Sequence, residues 1–122
     1  MSDVLKAEAQ RVLQQLATKP FSQCYPLTRE FGSMPNSPGF YAFRHRLEGI
    51  LYIGIATNLR RRFRNGHKAL AWAFIDRLDP DDVRIATVGI NRQNAQQVEY
   101  LETLMIQITR PRYNTRHNSS MR

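Results

Sequence analysis

The sequence holds a single cysteine, Cys24, which rules out an internal disulfide and any multi-cysteine zinc site. That residue reads either as a small buried hydrophobe or as a reactive thiol, and a reducing, cytoplasmic setting is expected for it. No apolar run approaches the ~18 residues of a membrane span, so no membrane partner is expected. The opening stretch SDVLKAEAQRVLQQL sets acids and glutamines among its apolar residues, unlike a secretory signal. Internal repeats and low-complexity tracts are absent. Acids are scarce, with 10 Asp and Glu against 18 Lys and Arg, a formal net charge of +8 in 122 residues. Such an excess suits a polyanion, because each neutralised phosphate releases condensed counterions; a plain solvated basic surface fits the composition equally well.

The charge is unevenly spread. Arg60, Arg61, Arg62, Arg64 and Lys68 lie close together, Arg110, Arg112, Arg116 and Arg122 crowd the C-terminus, and Asp76, Asp79, Asp81 and Asp82 gather between them. A hydrophobic fraction of 42% suffices for one modest core and one domain.

Residues 3–17 read as a helix with Leu5, Ala9, Val12, Leu13 and Leu16 on one face, ended by Pro20. Residues 20–38 read as irregular. Phe40–Arg44 and Ile50–Ile55 form a predicted hairpin around residues 46–49, and Val83–Ile90 a third strand. A helix starts near Thr57 or Asn58, both good N-caps, and continues or restarts through Lys68–Leu78. Gln93–Thr109 is the most regular helical pattern, with Val98, Leu101, Met105 and Ile108 as its stripe and Pro111 beyond its end. The expected fold is α/β: a small three-stranded, mainly antiparallel sheet flanked by helices, with an extra N-terminal helix.

With residues 46–49 as the loop, residue 41 faces 54 and 43 faces 52. Tyr41, Phe43, Tyr52 and Gly54 then share one sheet face, and Gly54 leaves room for an approach to the Tyr41 hydroxyl. A three-residue loop would break the arrangement. Packing tyrosines are the plain alternative. On the basic helix, Leu59 and Phe63 form the apolar edge and Arg62 falls between them in angle, so Arg62 is the arginine expected to face the sheet. Its planar guanidinium suits a phosphate there, or equally a core carboxylate. On the last helix Glu102 sits among Val98, Leu101, Met105 and Ile106, whereas Glu99 lies nearer the polar side. A carboxylate on an apolar stripe is costly unless it is paired or binds a metal, and Mg²⁺ is often held by one or two carboxylates with water and phosphate. Asn114, in the segment leaving that helix, has an amide suited to bridging backbone, phosphate or a metal-bound water.

Together these residues resemble the GIY-YIG nuclease superfamily. Its name motif stands as Gly39-Phe40-Tyr41, with Phe for the usual Ile, and as Tyr52-Ile53-Gly54. YIGIATNLRRRF resembles the family's run to its catalytic arginine, here Arg62, and LETLMIQITRPRYN its metal-site helix and exit, here Glu102 and Asn114. No single element is specific; five in order and spacing over about residues 38–115 carry the likeness. The resemblance implies a metal-dependent endonuclease acting on DNA in preference to RNA, structure-selective, single-strand-directed or weakly sequence-specific. Glu102 would hold one Mg²⁺ or Mn²⁺, Arg62 would stabilise phosphoryl charge, and Tyr41, with Tyr52 or His67, would take a proton from water. Arg60, Arg61, Arg64, Lys68 and Asn114 would bind substrate. His67 enters because the position where many members carry His or Tyr is Gly66 here, one residue earlier. A non-cleaving nucleic-acid-binding module on the same scaffold is the alternative. The expected organisation is residues 1–37 as helix and connection, too short for a separate DNA-reading domain, 38–115 as the nuclease-like domain and 116–122 as a basic flexible tail. The stripe on the first helix leaves a homodimer open.

Overall fold

A computed structural model describes residues 2–27, 31–64, 67, 76–92 and 94–114. In chain order these form α1 (Ser2–Thr18), β1 (Tyr25–Pro26), β2 (Gly39–His45), β3 (Gly49–Ala56), α2 (Leu59–Arg64), β4 (Val83–Gly89) and α3 (Val98–Thr109). The strands make one antiparallel sheet in the order β1-β4-β2-β3. The architecture is α/β as expected, but the sheet has four strands rather than three. The addition, β1, is two residues within the stretch read as irregular, pairing Tyr25 with Ile85 and Pro26 with Arg84. So short a strand carries no alternating pattern, and its proline is tolerated because it lies on an edge where no donor is needed.

Period-two alternation gives the sheet two buried faces. One face sets Phe40, Ala42, Ile53 and Ala86 against Ala9, Val12 and Leu16 of α1 and Leu101 and Met105 of α3. The other gathers Tyr41, Phe43, Tyr52, Val83 and Ile85 with Leu59 and Phe63 of α2, and with Phe31, Met34 and Tyr113. Cys24 is buried in the first of these cores, 4% exposed, as a small hydrophobe would be.

The hairpin turn is shorter than the spacing predicts. His45 pairs with Gly49 and Arg44 with Ile50, around a three-residue turn. Gly49 takes φ +83°, and His45 Nδ1 accepts the backbone N–H of Leu47 (3.1 Å) and Glu48 (3.2 Å). Such a turn alone would rotate Tyr52 to the opposite face. The register shifts after Phe43, leaving Leu51 as an extra residue, and this bulge restores the pairs Tyr41–Gly54 and Phe43–Tyr52.

The run GSMPNSPG anchors α2. Carbonyls of Ser37 and Pro35 accept the N–H groups of Leu59 (2.9 Å) and Arg60 (3.1 Å), and Asn58 Oδ1 accepts that of Arg61 (2.9 Å), so donors that open a helix without partners are satisfied. Most of the continuation expected over Lys68–Leu78 lies outside the described residues. Ahead of α3, Asn91 and Asn94 exchange side-chain-to-backbone bonds and a 3-10 turn spans Ala95–Gln97, so the α-helix proper starts later than expected. It ends where Arg110 adopts φ 46° before Pro111. Ile108, expected on the buried stripe, is half exposed; Leu101 and Met105 are the buried positions.

Candidate active site

Tyr41 lies on the face covered by α2 and is only 2% exposed. Its ring stacks beside Tyr52 at 6.1 Å between centroids and meets Phe63 edge-on at 4.8 Å. The space above Gly54, expected to admit an approaching group, is filled by the Tyr41 ring. A Cβ at position 54 would stand 2.4 Å from both Cζ and Oη of Tyr41. Gly39 serves a parallel purpose, since a Cβ there would stand 2.4 Å from Leu59 Cδ1. The glycines of the two motifs let a tyrosine and a helix settle directly on the sheet backbone.

His67 reaches this cluster. Its Nε2 is 2.8 Å from Tyr41 Oη, and its ring lies edge-on to Tyr52 and Phe43 at 4.8 Å from each. Arg62 is half-buried on α2, and its guanidinium acts on Tyr41 through charge and a side-chain hydrogen bond. Burial and the neighbouring Tyr52 nevertheless outweigh Arg62 and hold the Tyr41 hydroxyl well above the ordinary tyrosine range. Tyr52 is also raised, by burial and then by the negative charge of Glu102, with Arg62 opposing.

Glu102 is half-buried on α3 and Glu99 exposed, as the helical-face geometry requires. Burial, and then the Glu99 charge, push the Glu102 carboxyl up to about 7. Among the described residues no cluster of three or more His, Cys, Asp or Glu side chains is placed to hold a metal. What the site offers is one costly carboxylate whose charge acts on two tyrosine hydroxyls that also feel a guanidinium. That donor set fits a hard divalent ion whose remaining positions are filled by phosphate oxygen and water.

The outer arginines diverge. Arg61 and Arg64 are exposed, Arg61 Nη2 lying 3.4 Å from Thr57 Oγ1, while Arg60 donates from Nε to the Met34 carbonyl at 3.0 Å. Lys68 lies outside the described residues. Asn114 departs from its expected place among the substrate-binding groups. It is 4% exposed, and its amide bonds both sides of Ile53 on the edge strand β3, accepting from the N–H at 2.8 Å and donating to the carbonyl at 2.9 Å. Of the three partners considered for it, backbone is the one observed. Asn114→Ala should cost about 2–4 kcal/mol, because two bonds are lost and the buried Ile53 N–H and C=O are stranded. Urea unfolding checks this, and a loss below ~1 kcal/mol would show the clasp to be dispensable.

Spacing gave no sign of the other fastenings of this segment. Tyr113, fully buried, donates to Asp76 Oδ2 at 2.8 Å. Arg112 pairs with Glu48 on the hairpin turn and approaches Asp76 at 3.6 Å.

Comparison with known proteins matches residues 37–114 to a family model described as the GIY-YIG catalytic domain. UvrABC system protein C of Chlorobium chlorochromatii (strain CaD3) is 33% identical over 92 residues, covering 72% of this chain and 14% of that protein. UvrABC system protein C of Corynebacterium jeikeium (strain K411) is 34% identical over 90 residues, covering 73% of this chain and 12% of that protein. The chain thus corresponds to a small part of these relatives' length. No solved structure gives a significant match.

Proposed function

Because this chain belongs to the GIY-YIG catalytic domain family, we propose that it is an endonuclease that hydrolyses phosphodiester bonds in DNA with one divalent metal ion, Mg²⁺ or Mn²⁺. The observation that carries this reading is the convergence of Tyr41, Tyr52, His67 and Arg62 on one sheet face, with the Glu102 charge felt at both tyrosines.

Glu102 would hold the metal, which when bound polarises the scissile phosphate and eases departure of the leaving oxygen. The chain's own groups do the rest. Burial keeps Tyr41 protonated at rest, so phenolate is not its standing form. With its proton on Nδ1, the neutral His67 imidazole would accept at Nε2, 2.8 Å from Tyr41 Oη. As Tyr41 Oη takes a proton from the attacking water, its own proton passes to that imidazole, and the water oxygen forms the new P–O bond while the bond to the leaving oxygen breaks. Tyr52 orients the Tyr41 ring. Arg62 offers its fork of donors to the phosphoryl oxygens as charge builds on them. Exposed Arg61 and Arg64, with Arg60 and Lys68, hold the phosphate backbone without reading sequence.

The domain proposal is 38–115 as the catalytic unit, preceded by the helix and connection of 1–37 and followed by the basic tail of 116–122; the family match over residues 37–114 supports the central unit. Incubation with Mg²⁺ or Mn²⁺ and a panel of single-stranded, duplex, branched and RNA substrates tests the reading. Cutting that stops on addition of EDTA supports it, and binding without cutting across the whole panel overturns it.

A further inference from the structure

On the sheet face opposite Tyr41, three arginines converge on one ring. The guanidinium carbons of Arg46, Arg84 and Arg44 lie 4.8, 5.0 and 5.9 Å from the centroid of Phe21. Arg44 and Arg84 are direct partners across β2 and β4, where like charges are unfavourable. Two of the three bond to main-chain oxygen, which leaves charge unneutralised. Arg44 Nη1 donates to the Leu16 carbonyl at 3.0 Å and Arg84 Nη1 to the Phe21 carbonyl at 3.1 Å. Among the described residues the carboxylate bonded to the group is Asp82, which accepts from Arg46 Nε at 3.1 Å. Three positive charges therefore share one acid. The group is also reachable: Arg46 is 54% exposed along its side chain, and Phe21, Arg44 and Arg84 are half-buried.

We propose that the Phe21–Arg44–Arg46–Arg84 cluster is a second binding site for the phosphate backbone of the nucleic-acid substrate, away from the catalytic face. Stacking on Phe21 fixes each guanidinium plane while leaving in-plane N–H groups free for phosphate oxygen. An incoming phosphate relieves the repulsion within the cluster, which a capping role for the arginines alone does not. The inference rests on the nuclease reading for its ligand and extends it to a surface that reading does not use.

The test is binding of a fluorescein-labelled 30-nucleotide single-stranded DNA to the full chain in EDTA, across a salt series, with cleavage of the same DNA measured in Mn²⁺. Loss of one phosphate contact lowers the slope of log affinity against log salt by ~0.7 and weakens binding about fivefold near 0.1 M salt. Arg46→Gln should show both changes, Arg46→Lys should keep the salt slope but bind more weakly than wild type because it loses the stacked fork, and Asp82→Asn should bind more tightly than wild type. Arg46 is chosen as the exposed member, and thermal melting confirms that each variant is folded. If wild type binds and cuts while Arg46→Gln and Asp82→Asn keep its affinity and slope, the second site is overturned and the nuclease reading stands. If wild type neither binds nor cuts, both fall.

Discussion

Glu102→Gln is expected to reduce metal-dependent cleavage by about 10³-fold while making the metal-free protein more stable at pH 8. The loss of rate follows from removing the one carboxylate of the proposed metal site, where both the ion and the charge it steadies are affected. The gain in stability follows from linkage. Burial and Glu99 raise the carboxyl from 4.5 in the unfolded chain to about 7 in the folded protein. Between those values the folded state binds the extra proton, so stability falls as pH rises through that window, and the penalty is complete above it. Glutamine carries no charge and avoids the penalty. The shift would correspond to roughly 3 kcal/mol undiscounted; with the solvent that reaches this half-buried group, on the order of 1–2 kcal/mol is expected. Wild type and variant should therefore melt alike at pH 4 and diverge at pH 8, and Mn²⁺ should stabilise wild type alone. A variant less stable than wild type in EDTA at pH 8 would show that Glu102 is held by a structural ion pair instead.

Gly54→Ala should be the most damaging small substitution on the proposed catalytic face. The new methyl carbon would stand 2.4 Å from Tyr41 Cζ and Oη, and the ring has nowhere to retreat, being enclosed by Tyr52, Phe63 and His67. Overpacking of this kind costs about 1–3 kcal/mol. The activity cost is larger, since moving a reacting group by ~1 Å loses on the order of 10²-fold. Urea unfolding and cleavage rates measured together check both, and wild-type cleavage in a folded Gly54→Ala protein would remove Tyr41 from the mechanism.

The parts of the site that were legible in the sequence are those set by local periodicity. Alternation along β2 placed Tyr41 and Phe43 on one face, and helical angle placed Arg62 inward and Glu102, rather than Glu99, toward the core; Tyr52 joins that face although the loop expected over 46–49 is one residue shorter, because the bulge offsets the difference. The parts that were not legible depend on long-range fitting. Leu51 carries no mark of a bulge, yet without it the three-residue turn would carry Tyr52 off the shared face. Gly54 read as open space because a pairing pattern cannot show that the Tyr41 ring folds across it. Asn114 read as one of the substrate-binding groups because nothing in RPRYN reveals that the segment returns to the bare edge of β3. Nothing in the sequence around His67 shows that its Nε2 comes within 2.8 Å of Tyr41 Oη. Tyr25–Pro26 is too short to signal a strand, and its pairing is decided by the exposed edge of β4.

The central claim is that the face bearing Tyr41, Tyr52, His67 and Arg62, together with Glu102 of α3, whose charge reaches both tyrosines, breaks phosphodiester bonds. Its most direct test is the Mn²⁺-dependent cleavage rate of one labelled single-stranded DNA by wild type and by Arg62→Ala at equal folded concentration. Cutting by wild type, abolished by EDTA and lowered by about 10³-fold in the variant, is the expected result; equal rates for the two proteins would contradict it.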